Sequence, residues 1–216
     1  MIVLLHLRPP APFSLPPVHS HLHAWLVQLR LLTPRAARAD HGQKQWENRT
    51  APGVHEAFSQ IWGTRRLLCS HDRVSINPPC RDPEIVADPR REARGVHWDN
   101  GQLRLAETAD VGPLPFSVQG VLYLVDTPAE NGAFTCVPGF HRVIDDWLSG
   151  LPEGEEGAPA QQDYLEMRGP SGKGLTRVPA EAGDLVIWQT TLPHYSAVNI
   201  GDAPRVAQYV PSLLNA

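Results

Sequence analysis

The middle of the chain reads Gly95-Val96-His97-Trp98-Asp99-Asn100. In an extended segment, side chains two positions apart point to the same face. The His97 imidazole and the Asp99 carboxylate are therefore expected to face one common space, while Trp98 faces away. Because two such side chains alone bind a metal ion weakly, the pair predicts a third ligand from elsewhere in the chain.

The best candidate for the third ligand is His194, which lies in Leu192-Pro193-His194-Tyr195-Ser196. It follows directly after a strand-like apolar run at 184–188. Two histidines and one carboxylate on one face of a metal, with the other positions open, form the triad of non-heme Fe(II) oxygenases. Zinc also accepts two histidines, a carboxylate and a water. The residues thus predict a metal site and leave the choice between iron and zinc open.

The composition indicates an ordinary folded domain rather than a membrane or nucleic-acid-binding protein. The chain has 216 residues, 42% of them hydrophobic, and a formal charge of −4. No apolar run approaches the roughly 18 residues that a membrane helix needs, and a basic surface is not indicated. Cys69, Cys80 and Cys136 show no Cys-x-x-Cys spacing, which argues against a disulfide framework. We expect a cytoplasmic protein with a small-molecule substrate; the oligomeric state is unknown.

The first 42 residues differ from the rest of the chain. Up to residue 39 there is no acidic residue, and Pro9-Pro10 interrupts the apolar start too early for a signal peptide. Organelle-targeting segments are also poor in acidic residues, but they are usually richer in serine. We predict a poorly defined leader over 1–42 and one folded domain over 43–216.

From residue 43 onward the pattern predicts many short strands and few helices. Helical spacing of apolar residues predicts one helix over 46–62, ended by Gly63. Strand-like runs separated by Gly and Pro turns lie at 67–77, 102–105, 116–125, 133–137, 183–190 and 205–210. The segment 147–173 is rich in Gly, Pro and Glu, and we predict a long surface excursion or a lid. Such a pattern indicates a mainly β jelly roll or barrel.

Several blocks of the second half resemble the phytanoyl-CoA dioxygenase family of Fe(II)/2-oxoglutarate oxygenases. They occur in the family's order and are His97-Trp98-Asp99, 131–141, 183–188, 192–196 and 204–206. The resemblance covers roughly 43–210. It implies a double-stranded β-helix (a cupin-like jelly roll) with a few flanking helices, and Fe(II) bound by His97, Asp99 and His194.

The resemblance also implies 2-oxoglutarate as co-substrate and O2 as oxidant. The distal carboxylate of 2-oxoglutarate needs a cation that stays charged and donates two parallel hydrogen bonds, which arginine does better than lysine. Arg205 and Ser196 match the family positions that bind this carboxylate. Gln119 either faces the cofactor as well or is an ordinary polar residue of its strand. Arg73 and Asn77, on an earlier strand, are further candidates for lining the site.

The implied activity is oxidation of a C–H bond in a small organic molecule, with succinate and CO2 as co-products. Asp99 favours hydroxylation or desaturation, because related halogenases lack this carboxylate. Two alternatives stay open. One is a cupin-type metal-binding β-barrel without 2-oxoglutarate chemistry, which would not need Arg205. The other is a truncated, inactive family member. No feature of the sequence identifies the substrate.

Overall fold

The computed structural model describes residues 2–6, 42–88, 95–98, 117–149, 165–210 and 212–214. Its strands are β1 Ile2–His6, β2 Leu67–Cys69, β3 Val74–Asn77, β4 Val118–Tyr123, β5 Phe134–Cys136, β6 Thr176–Val178, β7 Asp184–Gln189, β8 His194–Ser196, β9 Arg205–Tyr209 and β10 Ser212–Leu214. Its helices are α1 Gln43–Arg49, α2 Pro52–Trp62, α3 Pro83–Val86 and α4 Ile144–Ser149, with a 3₁₀ helix at Phe140–Arg142.

The strands that the structure describes form three antiparallel sheets. The largest sheet has the strand order β1-β7-β4-β9-β3, and a three-stranded sheet has the order β6-β5-β8. Strands β10 and β2 form a separate pair. The named strand pairs are all antiparallel. The prediction of a mainly β chain with few helices is thereby confirmed.

The central strands β4 and β7 contribute to two cores, because alternate side chains point to opposite faces. Towards the three-stranded sheet point Val121, Tyr123, Val186 and Trp188. Towards helix α2 point Val118, Leu122, Leu185 and Ile187. Both faces are therefore buried, which is why these strands read as nearly continuous apolar runs in the sequence.

Gly120 allows helix α2 to lie close to the five-stranded sheet. A Cβ atom at this position would lie 2.8 Å from Cζ of Phe58. Phe58 is fully buried, so its ring has little room to move away. The glycine is required here by the close approach of a neighbouring side chain.

The prediction of one helix over 46–62 is wrong, because two helices occupy this segment. Helix α1 ends at Arg49, and Pro52 is the first residue of α2. Proline cannot continue a helix, since it lacks the N–H and its ring clashes with the preceding turn, but it suits a first helical position. The predicted end at Gly63 is confirmed, and that glycine has the left-handed φ of 66°.

The predicted strand over 67–77 is also divided in two. Strand β2 pairs with β10, whereas β3 pairs with β9 in the five-stranded sheet. The chain changes sheets between them, where buried Arg49 donates a hydrogen bond to the carbonyl oxygen of Asp72. The other strand predictions match β4, β5, β7 and β9, apart from 102–105, which lies outside the described residues.

The first strand falls inside the segment that we predicted to be a poorly defined leader. Residues Ile2–His6 form β1, which pairs antiparallel with β7 at the edge of the five-stranded sheet. Residues 7–41 and most of the predicted excursion at 147–173 lie outside the described residues, so the domain boundary at residue 43 stays a prediction. In the segments given above, none of the helices has the length and apolar content needed to cross a membrane.

Candidate active site

Two histidines meet where the segment 95–98 runs beside β8. The backbone N–H of His97 donates to the carbonyl oxygen of His194, and the reverse bond has the same length of 3.1 Å. The centroids of the two imidazole rings are 4.6 Å apart. The antiparallel bridge thus makes neighbours of the two histidines that the sequence assigned to one metal site.

Both imidazole rings are oriented by a hydrogen bond from Nδ1. His97 Nδ1 lies 2.7 Å from the carbonyl oxygen of Gly95, and His194 Nδ1 lies 2.8 Å from that of Leu192. A carbonyl oxygen can only accept, so Nδ1 carries the proton and Nε2 of the neutral ring carries a lone pair. Metal-binding histidines are usually oriented by such an outer partner. Both rings therefore have the tautomer that a metal ligand needs.

The third predicted ligand, Asp99, lies outside the described residues. Among the residues that the structure describes, there is no group of three or more His, Cys, Asp or Glu side chains that could bind a metal ion. Trp98 is buried, with its ring centroid 5.7 Å from that of Trp147, whereas His97 is exposed. This alternation agrees with the extended conformation expected for the His97-Trp98-Asp99 segment.

The guanidinium group of Arg205 is buried at the start of β9. The residue is 1% exposed, and its Nη1 donates to Oγ of Ser196 over 3.0 Å. Its Nε atom is buried and has no hydrogen-bond partner among the described residues. Burial of a charged group is unfavourable unless an opposite charge and hydrogen bonds compensate for it. The arrangement therefore fits a site that binds the carboxylate of a ligand.

A short polar network fixes the distance between Arg205 and Ser196, which lie on different sheets. Asn77 lies opposite Arg205 in the pairing of β3 with β9. The side chain of Asn77 donates to the carbonyl oxygen of Ala197 over 2.9 Å. Asn199 donates in turn to the carbonyl oxygen of Asn77 over 2.9 Å. The end of β8 is thus tied to the strand beside Arg205.

The residues predicted to bind the metal or the co-substrate line one cavity wherever the structure describes them, whereas the further candidate Asn77 is not among the lining residues. The cavity has a volume of about 210 Å³, and its walls include His97, His194, Arg205, Ser196 and Gln119. The apolar and aromatic part of the wall consists of Val121, Phe134, Trp188, Tyr195 and Tyr209, and the rim carries Asp72 and Arg73. Two imidazoles, a guanidinium, a hydroxyl and an amide therefore converge on one space.

Aromatic rings surround the buried histidine. The ring of His194 lies 4.9 Å from Trp188 and 5.5 Å from Phe134, measured between centroids. Cys136 lies opposite His194 in the pairing of β5 with β8 and is fully buried. Burial raises the pKa of its thiol to about 12, so the thiol stays neutral near pH 7. Cys136 is thus an apolar neighbour of the site and supplies no thiolate.

The sequence did not single out every residue of the cavity wall. Tyr209 was missed, although alternation along β9 puts it on the same face as Arg205. Phe134 lies in a predicted strand, but the sequence did not indicate which face of that strand points to the cavity. Asp72 was missed because it reaches the cavity through the change of sheets between β2 and β3. Arg73, which we had considered only as a candidate, lies on the rim.

The sequence is similar to one family over most of its length. The model of the family described as Phytanoyl-CoA dioxygenase (PhyH) matches residues 30–207. The chain is 27% identical over 180 residues to the Ava biosynthesis cluster protein O of Aspergillus versicolor, covering 79% of this chain and 54% of that protein. It is 24% identical over 188 residues to a putative phytanoyl-CoA dioxygenase of Dictyostelium discoideum, covering 76% and 52%. The chain spans about half the length of these curated relatives.

The fold is shared with a solved metalloprotein structure. HygX from Streptomyces hygroscopicus, whose crystal structure contains nickel and 2-oxoglutarate, has a TM-score of 0.58 at 13% identity. The match covers 99% of this chain and 83% of that one. At 13% sequence identity, the structural similarity shows that the two proteins have a common fold.

Proposed function

The chain belongs to the phytanoyl-CoA dioxygenase family of Fe(II)/2-oxoglutarate-dependent oxygenases, and from this premise we propose that it oxidises a C–H bond of a small organic molecule. The co-substrates are 2-oxoglutarate and O2, and the co-products are succinate and CO2. Hydroxylation is the outcome that a site with Asp99 would give. The observation that carries the proposal is the position of buried Arg205, which lines the same cavity as His97 and His194.

In this proposal Fe(II) is bound by His97, Asp99 and His194. The Nδ1 hydrogen bonds of the two histidines support it, because they leave the lone pair on Nε2. The bound nickel and 2-oxoglutarate of the structurally similar HygX give further support. When bound, the iron supplies O2 activation coupled to the conversion of 2-oxoglutarate to succinate and CO2.

Arg205 and Ser196 bind the distal carboxylate of 2-oxoglutarate. The guanidinium can donate two parallel hydrogen bonds to a carboxylate, and it stays charged at any physiological pH. The Ser196 oxygen accepts from Arg205 Nη1, so its hydroxyl hydrogen can turn towards the carboxylate. Gln119, on the strand next to that of Arg205, also lines the cavity and offers an amide to the co-substrate or the substrate.

The aromatic wall excludes water from the metal side of the cavity. Trp188 and Phe134 are almost fully buried and lie against His194. A site with little water strengthens the electrostatic interactions inside it and protects reactive species from solvent. We therefore assign these two aromatic residues a role in shielding the reaction.

The fold that we propose is the double-stranded β-helix, in which two antiparallel sheets enclose the site. The shared core of the five-stranded and three-stranded sheets supports this assignment. A cupin-type metal barrel without 2-oxoglutarate chemistry is the alternative. The buried guanidinium of Arg205 argues against it, since such a barrel has no diacid to neutralise.

Succinate formation tests the proposed function. We expect the purified chain to form succinate from 2-oxoglutarate only when Fe(II) and O2 are both present, and faster with its substrate. The Zn(II)-loaded protein is the control and should form none. A protein that binds Fe(II) but forms no succinate with any member of a broad metabolite library would contradict the proposal and favour the inactive alternative.

A further inference from the structure

A second arginine lies at the rim of the cavity. Arg73 comes directly before β3, and its side chain is 50% exposed, whereas Arg205 is 1% exposed. Arg73 lies beside Tyr209. Tyr209 is four positions along β9 from Arg205, so the Cα atoms of Tyr209 and Arg205 are about 13 Å apart at roughly 3.3 Å per residue. The cavity wall thus carries one buried cation, Arg205, and one partly exposed cation at the rim, Arg73.

The guanidinium of Arg73 is held in a defined place. Its Cζ atom lies 4.5 Å from the centroid of the Tyr209 ring, a distance typical of a cation–π contact. The backbone N–H of Tyr209 donates to the carbonyl oxygen of Arg73 over 3.0 Å. On the other side, Arg49 donates to the carbonyl oxygen of Asp72. An arginine that is oriented in advance loses less entropy when it binds a ligand.

Asp72 pairs with Arg73, but it accepts only one long hydrogen bond from the guanidinium. The distance from Arg73 Nη1 to Asp72 Oδ1 is 3.4 Å, which is long for a charged pair. The same oxygen accepts a closer hydrogen bond of 2.6 Å from the backbone N–H of Arg73. A guanidinium has five N–H donors. Among the described residues, no other side chain accepts a hydrogen bond from Arg73, so most of its donors are available to a ligand.

The co-substrate has no use for this second cation. In the proposed function, one carboxylate of 2-oxoglutarate binds the metal and the other binds Arg205, so Arg73 is left over. From its place on Tyr209 at the rim of the same cavity, we infer that Arg73 binds an anionic oxygen group of the organic substrate. The substrates are then small molecules with a carboxylate or a phosphate. This inference rests on the proposed function for the reaction, but the binding can be measured without turnover.

Binding of matched probes tests the inference. The full chain is loaded with Mn(II) and 2-oxoglutarate, and melting temperature and Kd are measured with a panel of carboxylates and phosphate monoesters. Each carboxylate is compared with its methyl ester and each phosphate with its parent alcohol. We expect anions to raise the melting temperature and their neutral counterparts to have little effect. Preference within the panel distinguishes carboxylates from phosphates.

Variants of Arg73 assign the effect to this side chain. Arg73→Gln should weaken the Kd of the best anion at least tenfold, and Arg73→Lys should recover part of the loss because it keeps the charge without the planar fork. Arg65→Gln is the matched control. Arg65 is an exposed arginine paired with Glu56 and does not line the cavity. This control should bind the anion as the unmodified chain does.

Several results would overturn the inference. They are equal binding of an anion and its neutral counterpart, an unchanged Kd in Arg73→Gln, and a panel in which no anion binds at millimolar concentration. Failure of the proposed function looks different: anions bind through Arg73, but no succinate forms with Fe(II). Where turnover is seen, Arg73→Gln should raise the KM for the anionic substrate far more than the KM for 2-oxoglutarate.

Discussion

His97 and His194 exchange two backbone hydrogen bonds, and each N–H donates to the carbonyl oxygen of the other residue over 3.1 Å. Because the backbones are paired, the relative position of the two rings does not depend on side-chain packing alone. Their ring centroids lie 4.6 Å apart. The proposed metal site therefore rests on a contact between a mid-chain segment and a strand near the carboxyl end.

Removal of any proposed metal ligand should abolish most activity. We expect His97→Ala, Asp99→Ala and His194→Ala each to lower the affinity for Fe(II) or Mn(II) by at least about 100-fold, since even loss of an outer partner lowers metal affinity by roughly 10–100-fold. Metal titration and succinate formation measure the two effects. His55→Ala is the control, because His55 bonds to the carbonyl oxygen of Arg65 away from the cavity. Full turnover in any of the three ligand variants would contradict the assignment.

Changes at Arg205 and Ser196 should affect the co-substrate most. A hydrogen bond to a charged group contributes about 1.5–3 kcal/mol. We expect Arg205→Ala to raise the KM for 2-oxoglutarate by about 100-fold and Ser196→Ala by about tenfold. In the double variant, the loss of binding free energy for 2-oxoglutarate should be smaller than the sum of the two single losses. The two residues are coupled, because Arg205 Nη1 donates to Ser196 Oγ. An unchanged KM in Arg205→Ala, with folding intact, would count against the carboxylate site.

Gly120→Ala should destabilise the fold without touching the cavity. The added Cβ would lie 2.8 Å from Cζ of Phe58, so helix α2 must shift or the ring must turn. Overpacking of this kind usually lowers the free energy of unfolding by about 1–3 kcal/mol. Denaturant unfolding measures the change. Combining the substitution with Phe58→Leu should recover part of the loss, and strict additivity of the two losses would show that the contact is not the cause.

The thiol of Cys136 should resist alkylation in the native protein. Burial raises its pKa to about 12, so almost no thiolate is present at about pH 8. Cys80 is only partly buried and should be modified first. Mass spectrometry after iodoacetamide treatment gives the order of labelling, with the unfolded protein as the control in which all three cysteines react. Native labelling of Cys136 as fast as of Cys80 would contradict its place between the sheets.

The sequence predicted the long central strands because both of their faces are buried. In β7 apolar residues run from Leu185 to Trp188, and in β4 only Gln119 and Gly120 interrupt the run, so the signal is local. The break between α1 and α2 was also present as Pro52, but helical spacing continues across it and suggested one helix. The spacing of apolar residues alone cannot show whether two amphipathic segments form one continuous helix or two separate helices.

Contacts between distant segments could not be predicted in the same way. Gln208 is fully buried, and its amide is satisfied because it accepts a hydrogen bond from Asn48 and donates to the carbonyl oxygen of Gln45. Periodicity marks Gln208 only as polar, and its partners on α1 are far away in the sequence. Arg49 likewise reads as a surface residue of a helix, yet it is buried against Asp72. Such polar contacts become visible only when the sheets and helices are assembled.

A crystal structure of the chain with Mn(II) and 2-oxoglutarate tests the central claim most directly. We predict one Mn(II) ion bound by Nε2 of His97, Nε2 of His194 and the carboxylate of Asp99, with bonds of about 2 Å. The distal carboxylate of 2-oxoglutarate should lie on Arg205 and Ser196. A metal ion bound by other side chains, or 2-oxoglutarate that does not contact Arg205, would contradict it.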